Sequence, residues 1–193
     1  MQRRTTNTVH VGDIAIGSGH PIAVQSMLCV APSDLAANIA QTLVLKEAGC
    51  DIVRLAIPTM DDIRLISAIK NEVDIPLVAD IQFDYRLAIA AVKAGIDKVR
   101  INPGNIGGSD CVHAVVEACR DRHIPIRIGV NSGSLEKDIL QKYGRPTAEA
   151  LVESALRHIQ LLEDEGLATS RAGAKSCIQA SPQIGRASCR ERV

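Results

Sequence analysis

Apolar and polar positions alternate along four short segments of the chain, and in three of them the central polar position is an arginine. In 51–57 (DIVRLAI), Val53, Leu55 and Ile57 share one face and Arg54 takes the other. In 98–103 (KVRINP), Val99 and Ile101 oppose Arg100; in 125–131 (PIRIGVN), Ile126, Ile128 and Val130 oppose Arg127. A period of two marks β-strands, because successive side chains leave on opposite faces. A fourth segment, 76–82 (PLVADIQ), sets Leu77, Ala79 and Ile81 against Asp80 and Gln82. Between these strands the pattern is helical. Helices are predicted over 34–48, ended by Gly49; over 59–73, opening at Thr59 with Asp61 and Asp62 in the first turn; over 85–94, before Gly95; and over 109–123. Beyond 125–131 the chain passes through NSGS into a short helix and then a longer one, 147–165. Before the first helix, 21–27 (PIAVQSM) reads as a strand. The opening NTVHVGDIAIGSG, with a turn at Gly12-Asp13, reads as a hairpin closing one end of the fold.

Strand–helix alternation every 22–30 residues or so predicts right-handed βαβ crossovers and a parallel sheet. Five units are visible, whereas an eight-fold barrel takes ~250 residues. The expected fold is therefore α/β, an incomplete TIM-type (β/α)8 barrel with an N-terminal β-hairpin. A doubly wound sheet would not place polar residues so regularly in the middle of its strands. In a barrel the arginine face points inward, and cations gathered where a core should be require an anion. Functional groups of such barrels lie at the C-terminal ends of the strands. Arg54, Asp80, Gln82, Arg100, Asn102, Arg127 and Asn131 all fall there, and they are the candidate binding residues. Arginine offers a planar fork of donors suited to phosphate oxygens and keeps its charge. The other reading of these residues is a buried salt-bridge layer in which Asp80 pairs one or two arginines. One carboxylate cannot neutralise three guanidiniums, which favours anion binding.

Composition narrows the possibilities. Of 193 residues, 46% are hydrophobic, enough for one aliphatic core. Lys plus Arg equals Asp plus Glu at 22 each, so bulk attraction to nucleic acid or membrane is not indicated. Phe83, Tyr85 and Tyr143 are the only aromatic residues, which disfavours base stacking. No apolar run is long enough for a membrane span, and Arg3 and Arg4 precede no apolar run of the signal-peptide kind. The six cysteines (Cys29, Cys50, Cys111, Cys119, Cys177, Cys189) form no C-x-x-C, which suggests free thiols in a reducing cytoplasm.

Two loops add weaker signals. NPGNIGG (102–108) joins a strand to a helix, and its glycines permit backbone N–H groups to converge on an anion, though such loops are often plain turns. In NSGSLEKD (131–138), Ser134 reads as an N-cap and Lys137 as a solvated charge. Asp84 reads as a cap or first-turn acid. The five histidines are isolated, so no metal site or catalytic triad is assigned, and there is neither a P-loop nor G-x-G-x-x-G.

Taken in order, PIAVQSM, DIVRLAIPTMD, IPLVADIQFDYR, VRINPGNIG and IPIRIGVNSGSLEKD closely resemble the N-terminal barrel of the bacterial 4-hydroxy-3-methylbut-2-enyl diphosphate synthase (IspG, or GcpE) family. The resemblance runs from about residue 2 to 167. It implies an iron–sulfur oxidoreductase that reductively opens 2-C-methyl-D-erythritol 2,4-cyclodiphosphate in the non-mevalonate isoprenoid pathway. By motif match it makes Arg54, Arg100, Asn102, Arg127 and Asn131 substrate-binding residues, with Asp80 at the same mouth. It further implies a [4Fe–4S] cluster held in a separate C-terminal domain, ferredoxin or flavodoxin as electron donor, and a homodimer in which that domain covers the partner's barrel.

The chain departs from the family pattern in places. Gln82 stands where the family motif DIHFDYR has histidine, keeping a hydrogen-bond donor but losing the capacity for charge. Leu28-Cys29-Val30 stands where Thr-Asn-Thr is usual. No cysteine matches a cluster ligand. After Gly166 the periodic pattern stops, and 184–193 (IGRASCRERV) resembles a translated sequencing adapter. The expected organisation is thus a partial barrel over 1–166 and a non-native-looking tail over 167–193, with the chain alone inactive in turnover. A non-catalytic phosphate-binding paralogue is the second reading. A pterin- or sugar-phosphate-handling barrel is the third, disfavoured by the density of motifs.

Overall fold

The computed structural model describes residues 6–17 and 19–165. Its main sheet has five parallel strands in the order of the chain: β3 (Gln25–Met27), β4 (Ile52–Ala56), β5 (Leu77–Asp80), β6 (Lys98–Ile101) and β7 (Ile126–Ile128). Helices α1 (Leu35–Glu47), α2 (Arg64–Glu72), α3 (Tyr85–Lys93) and α4 (Ser109–Asp121) return the chain between them. Strand order never reverses, so every right-handed crossover puts its helix on the same side of the sheet. A doubly wound sheet needs such a reversal. The architecture is that of a TIM barrel, with five of the strands present among the described residues.

The strand faces divide as their alternation demands. Val53 and Leu55, Leu77 and Ala79, Val99 and Ile101, and Ile126 and Ile128 join the core between sheet and helices. Against them pack Ile66 and Ile69 of α2, Ala88 and Ala91 of α3, and Val115 and Val116 of α4, all fully buried. The opposite face carries Ile52, Arg54 and Ala56 on β4, Val78 and Asp80 on β5, Arg100 on β6 and Arg127 on β7.

The N-terminal hairpin forms as expected, from β1 (Val9–Val11) paired antiparallel with β2 (Ile14–Ile16). Gly12 turns it with φ +58, and the added Cβ of any other residue would meet the Pro76 ring at 3.0 Å. Val11, fully buried, packs on Ile52 and Val78. Those two residues lie on the arginine face one step below Arg54 and Asp80. The hairpin therefore lays an apolar floor beneath the charged layer.

Several local details differ from the sequence reading. The strand expected over 21–27 is shorter, Gln25–Met27, the residues in register with Ile52, Val53 and Arg54 of β4. The helix expected from Thr59 begins as a 3-10 turn, Asp61–Ile63, before α2. Asp62 reaches back there, and its Oδ2 accepts from the Thr59 N–H at 3.1 Å and the Thr59 hydroxyl at 2.5 Å. Asp84 caps α3 as expected, accepting from the Arg86 N–H at 2.9 Å. Ser134 does not cap a helix. It ends a 3-10 turn, Ser132–Ser134, and Glu136 occupies the N-cap position of α5 (Lys137–Tyr143). The last described helix, α6 (Ala148–Asp164), is capped by Thr147. No described helix is long and apolar enough to cross a membrane. The sequence reading of the tail beyond Gly166 lies outside the described residues.

Candidate active-site mouth

Register brings the charged residues together. Asp80 pairs across the sheet with Ala56 on one side and Arg100 on the other, and Arg100 pairs with Arg127. Arg54 Nη2 donates to Asp80 Oδ2 at 2.5 Å, and Arg100 Nη1 donates to Asp80 Oδ1 at 3.1 Å. The carboxylate is 3% exposed and the two guanidiniums 14% and 13%, so the triad is largely shielded from water. Part of the salt-bridge reading thus holds: Asp80 does pair two arginines. It does not neutralise the layer. Arg127, half-buried, has no ion-pair or hydrogen-bond partner among the described residues. Arg54 Nε is buried without a hydrogen-bond acceptor. Three guanidiniums and one carboxylate leave a surplus of positive charge on a half-desolvated surface, where an anion is strongly attracted.

The other candidates lie around this layer. Gln82 and Asn131 are exposed at the rim. Gln82 and Asp80 line a cleft of ≈ 190 Å³ with Ile57, Leu87 and the 69%-exposed Phe83, so the charged layer has an apolar wall beside it. Asn102 is engaged elsewhere. Only 2% exposed, it donates through Nδ2 to Ser134 Oγ at 2.6 Å and accepts through Oδ1 from the Gly104 N–H at 3.2 Å. Its amide ties the β6–α4 loop to the β7–α5 loop. The Gly104 N–H of NPGNIGG is thereby used within the loop.

Two features escaped the sequence reading. Gly129 follows β7 on the arginine face, directly beneath the Arg100 guanidinium. Behind the loops, Glu136 accepts from Ser154 Oγ at 2.7 Å, and its Oε1 lies 3.1 Å from His158 Nε2 without the alignment of a hydrogen bond. Burial holds the His158 imidazole below its ordinary value, and the Glu136 carboxylate opposes that shift.

The described residues do not fit an iron–sulfur cluster. No three His, Cys, Asp or Glu side chains among them converge as metal ligands. Cys119 sits in the core, where burial pushes its thiol up to about 12.

Similarity to known proteins agrees with this picture. The GcpE TIM-barrel domain family matches residues 6–181. A 4-hydroxy-3-methylbut-2-en-1-yl diphosphate synthase (flavodoxin) of Vibrio vulnificus (strain YJ016) is 55% identical over 161 residues, covering 83% of this chain and 43% of that protein. The synthase of the same name from Histophilus somni (strain 2336) is 53% identical over 163 residues, 84% of this chain and 44% of its own length. The chain spans less than half the length of these curated relatives. Among solved structures, dihydropteroate synthase from Xanthomonas albilineans in complex with 7,8-dihydropteroate superposes with a TM-score of 0.59 at 18% identity, covering 86% of this chain and 62% of that one. Dihydropteroate synthase from Yersinia pestis gives 0.61 at 13%, covering 84% and 60%. At such identities the likeness is one of fold alone. By its motifs, its fold and the extent of the family match, the chain belongs to the GcpE TIM-barrel domain family.

Proposed function

We propose that this chain is the substrate-binding barrel of an oxidoreductase that opens 2-C-methyl-D-erythritol 2,4-cyclodiphosphate to 4-hydroxy-3-methylbut-2-enyl diphosphate. The observation that carries the reading is the surplus of guanidinium over carboxylate in the Arg54–Asp80–Arg100 layer, with Arg127 beside it and without a partner among the described residues. A cyclic diphosphate would set its phosphoryl oxygens on Arg100 and Arg127. Its short carbon skeleton suits the apolar wall of Ile57, Leu87 and Phe83. Gln82 and Asn131 would close over it from the rim. Electrons would arrive from flavodoxin, as the names of the curated relatives indicate for those proteins. A cluster and a second subunit would complete the reaction.

Equilibrium dialysis against the cyclic diphosphate tests this, with uncharged methylerythritol as the control. Saturable binding that weakens steeply with salt supports the reading; equal uptake of the uncharged polyol would sink it. A phosphate-binding barrel without turnover is the second reading, resting on the same surplus of positive charge. It predicts the same binding but no product when reduced flavodoxin and the cluster-bearing parts of a relative are supplied.

A further inference from the structure

Glycine at 129 is not demanded by its own backbone. Its φ lies outside the left-handed range that disfavours side chains, unlike Gly107 at +122 or Gly144 at +70. Nor is it at a turn, since its N–H donates to the Ile101 carbonyl at 2.9 Å and extends the β6–β7 pairing. What excludes a side chain is one neighbour. A Cβ here would stand 2.1 Å from Arg100 Nη2, 2.4 Å from Nε and 2.5 Å from Cζ. The Arg100 guanidinium occupies the volume that any other residue would fill.

We propose that Gly129 is a positioning residue for the anion site: its missing side chain seats the Arg100 guanidinium flat against β7, one interior step beyond Arg127. This rests on the diphosphate-binding reading and deepens it. Arg100 and Arg127 are direct cross-strand partners, and two like charges straight across a ladder repel. By leaning over Gly129, Arg100 leaves that line while keeping its bond to Asp80. The Arg100 cation is then displaced along the strand direction from the cross-strand position of Arg127. A methyl at 129 lifts the guanidinium into the mouth, away from Asp80 and into the space meant for the ligand. What yields is the tip of a flexible side chain, so the sheet itself survives the change.

The test is a double-mutant cycle with Gly129→Ala and Arg100→Lys, read by dialysis against radiolabelled pyrophosphate and by thermal melts followed by circular dichroism. Lysine keeps a charge but has no planar fork to collide with the new methyl. Gly129→Ala should weaken pyrophosphate binding by about tenfold in the parent, the scale of one charge-assisted hydrogen bond, and by less than about twofold in the Arg100→Lys background. Its effect on the melt should shrink in the same background. Equal losses in both backgrounds, or none in the parent, overturn the proposal. A Gly129→Ala chain that does not fold overturns it too, since the backbone would then be what needs glycine. If the parent binds no pyrophosphate, the diphosphate reading falls, and the melting cycle still decides the role of Gly129.

Discussion

Arg54 and Asp80 come from adjacent parallel strands and meet through a 2.5 Å charge-assisted hydrogen bond, with the other oxygen of the same carboxylate taken by Arg100. Removing that charge leaves two nearly buried cations facing each other. Asp80→Asn should therefore lower the unfolding free energy by about 3–5 kcal/mol in urea titrations. Pyrophosphate should recover more stability in the variant than in the parent, because it supplies the missing negative charge. An unchanged urea midpoint would show that the layer is held together by something other than Asp80.

Arg127 offers the contrast. With no partner among the described residues, it contributes little to the fold. Arg127→Gln should leave stability within about 0.5 kcal/mol of the parent. Its pyrophosphate dissociation constant should rise about tenfold or more, and the salt dependence of binding should become shallower. Loss of stability without loss of affinity would contradict its place in the site.

The buried histidine gives the chain a specific response to acid. Desolvation places the folded-state value of His158 below the ordinary 6.5, with Glu136 pulling the other way. A depressed value means that its stability contribution is whole above about pH 6.5 and is lost as pH falls through the folded value. His113 acts with the opposite sign. Its bond to Glu165 raises its value, so its contribution is present below 6.5 and fades as pH rises through the raised value. Urea midpoints between about pH 5 and 8 separate the two. His158→Gln should flatten the acid limb, and His113→Gln should flatten the limb above 6.5. An acid limb unaltered by His158→Gln would assign it to other groups.

Exposed apolar side chains flank both edges of the sheet. Ile22 and Val24 lead into β3 with 73% and 55% exposure, and Leu156 of α6 stands 58% exposed beyond β7. Strand edges with apolar surroundings recruit other chains. Expressed alone, the chain should self-associate, its apparent mass rising with concentration in light scattering. Ile22→Lys with Val24→Lys should shift that onset upward. A concentration-independent monomer with a sharp melt would count against this.

The strand faces and helix order were legible because periods of two and 3.6 are local signals. The Arg54, Arg100 and Arg127 face follows from its neighbours in sequence. What was not legible depends on contacts between distant segments. Asn102 looked free to meet a ligand, and only the meeting of two loops shows its amide spent on Ser134 and Gly104. Gly129 drew no notice within the strand PIRIGVN, since nothing there says that an arginine from the preceding strand lies on it. Glu136 precedes α5 and His158 lies in α6, and neither has a local pattern that announces the other.

The division of faces also ties chemistry to folding. A slip of β5 by one residue against its neighbours would turn Asp80 toward the greasy layer under the helices and strand two guanidiniums without it. The charged residues of this layer thus act as an alignment key for three strands. Sequences that drift at Arg54, Asp80 or Arg100 unbalance the charge of the layer and lose a means of finding the right sheet in the same step.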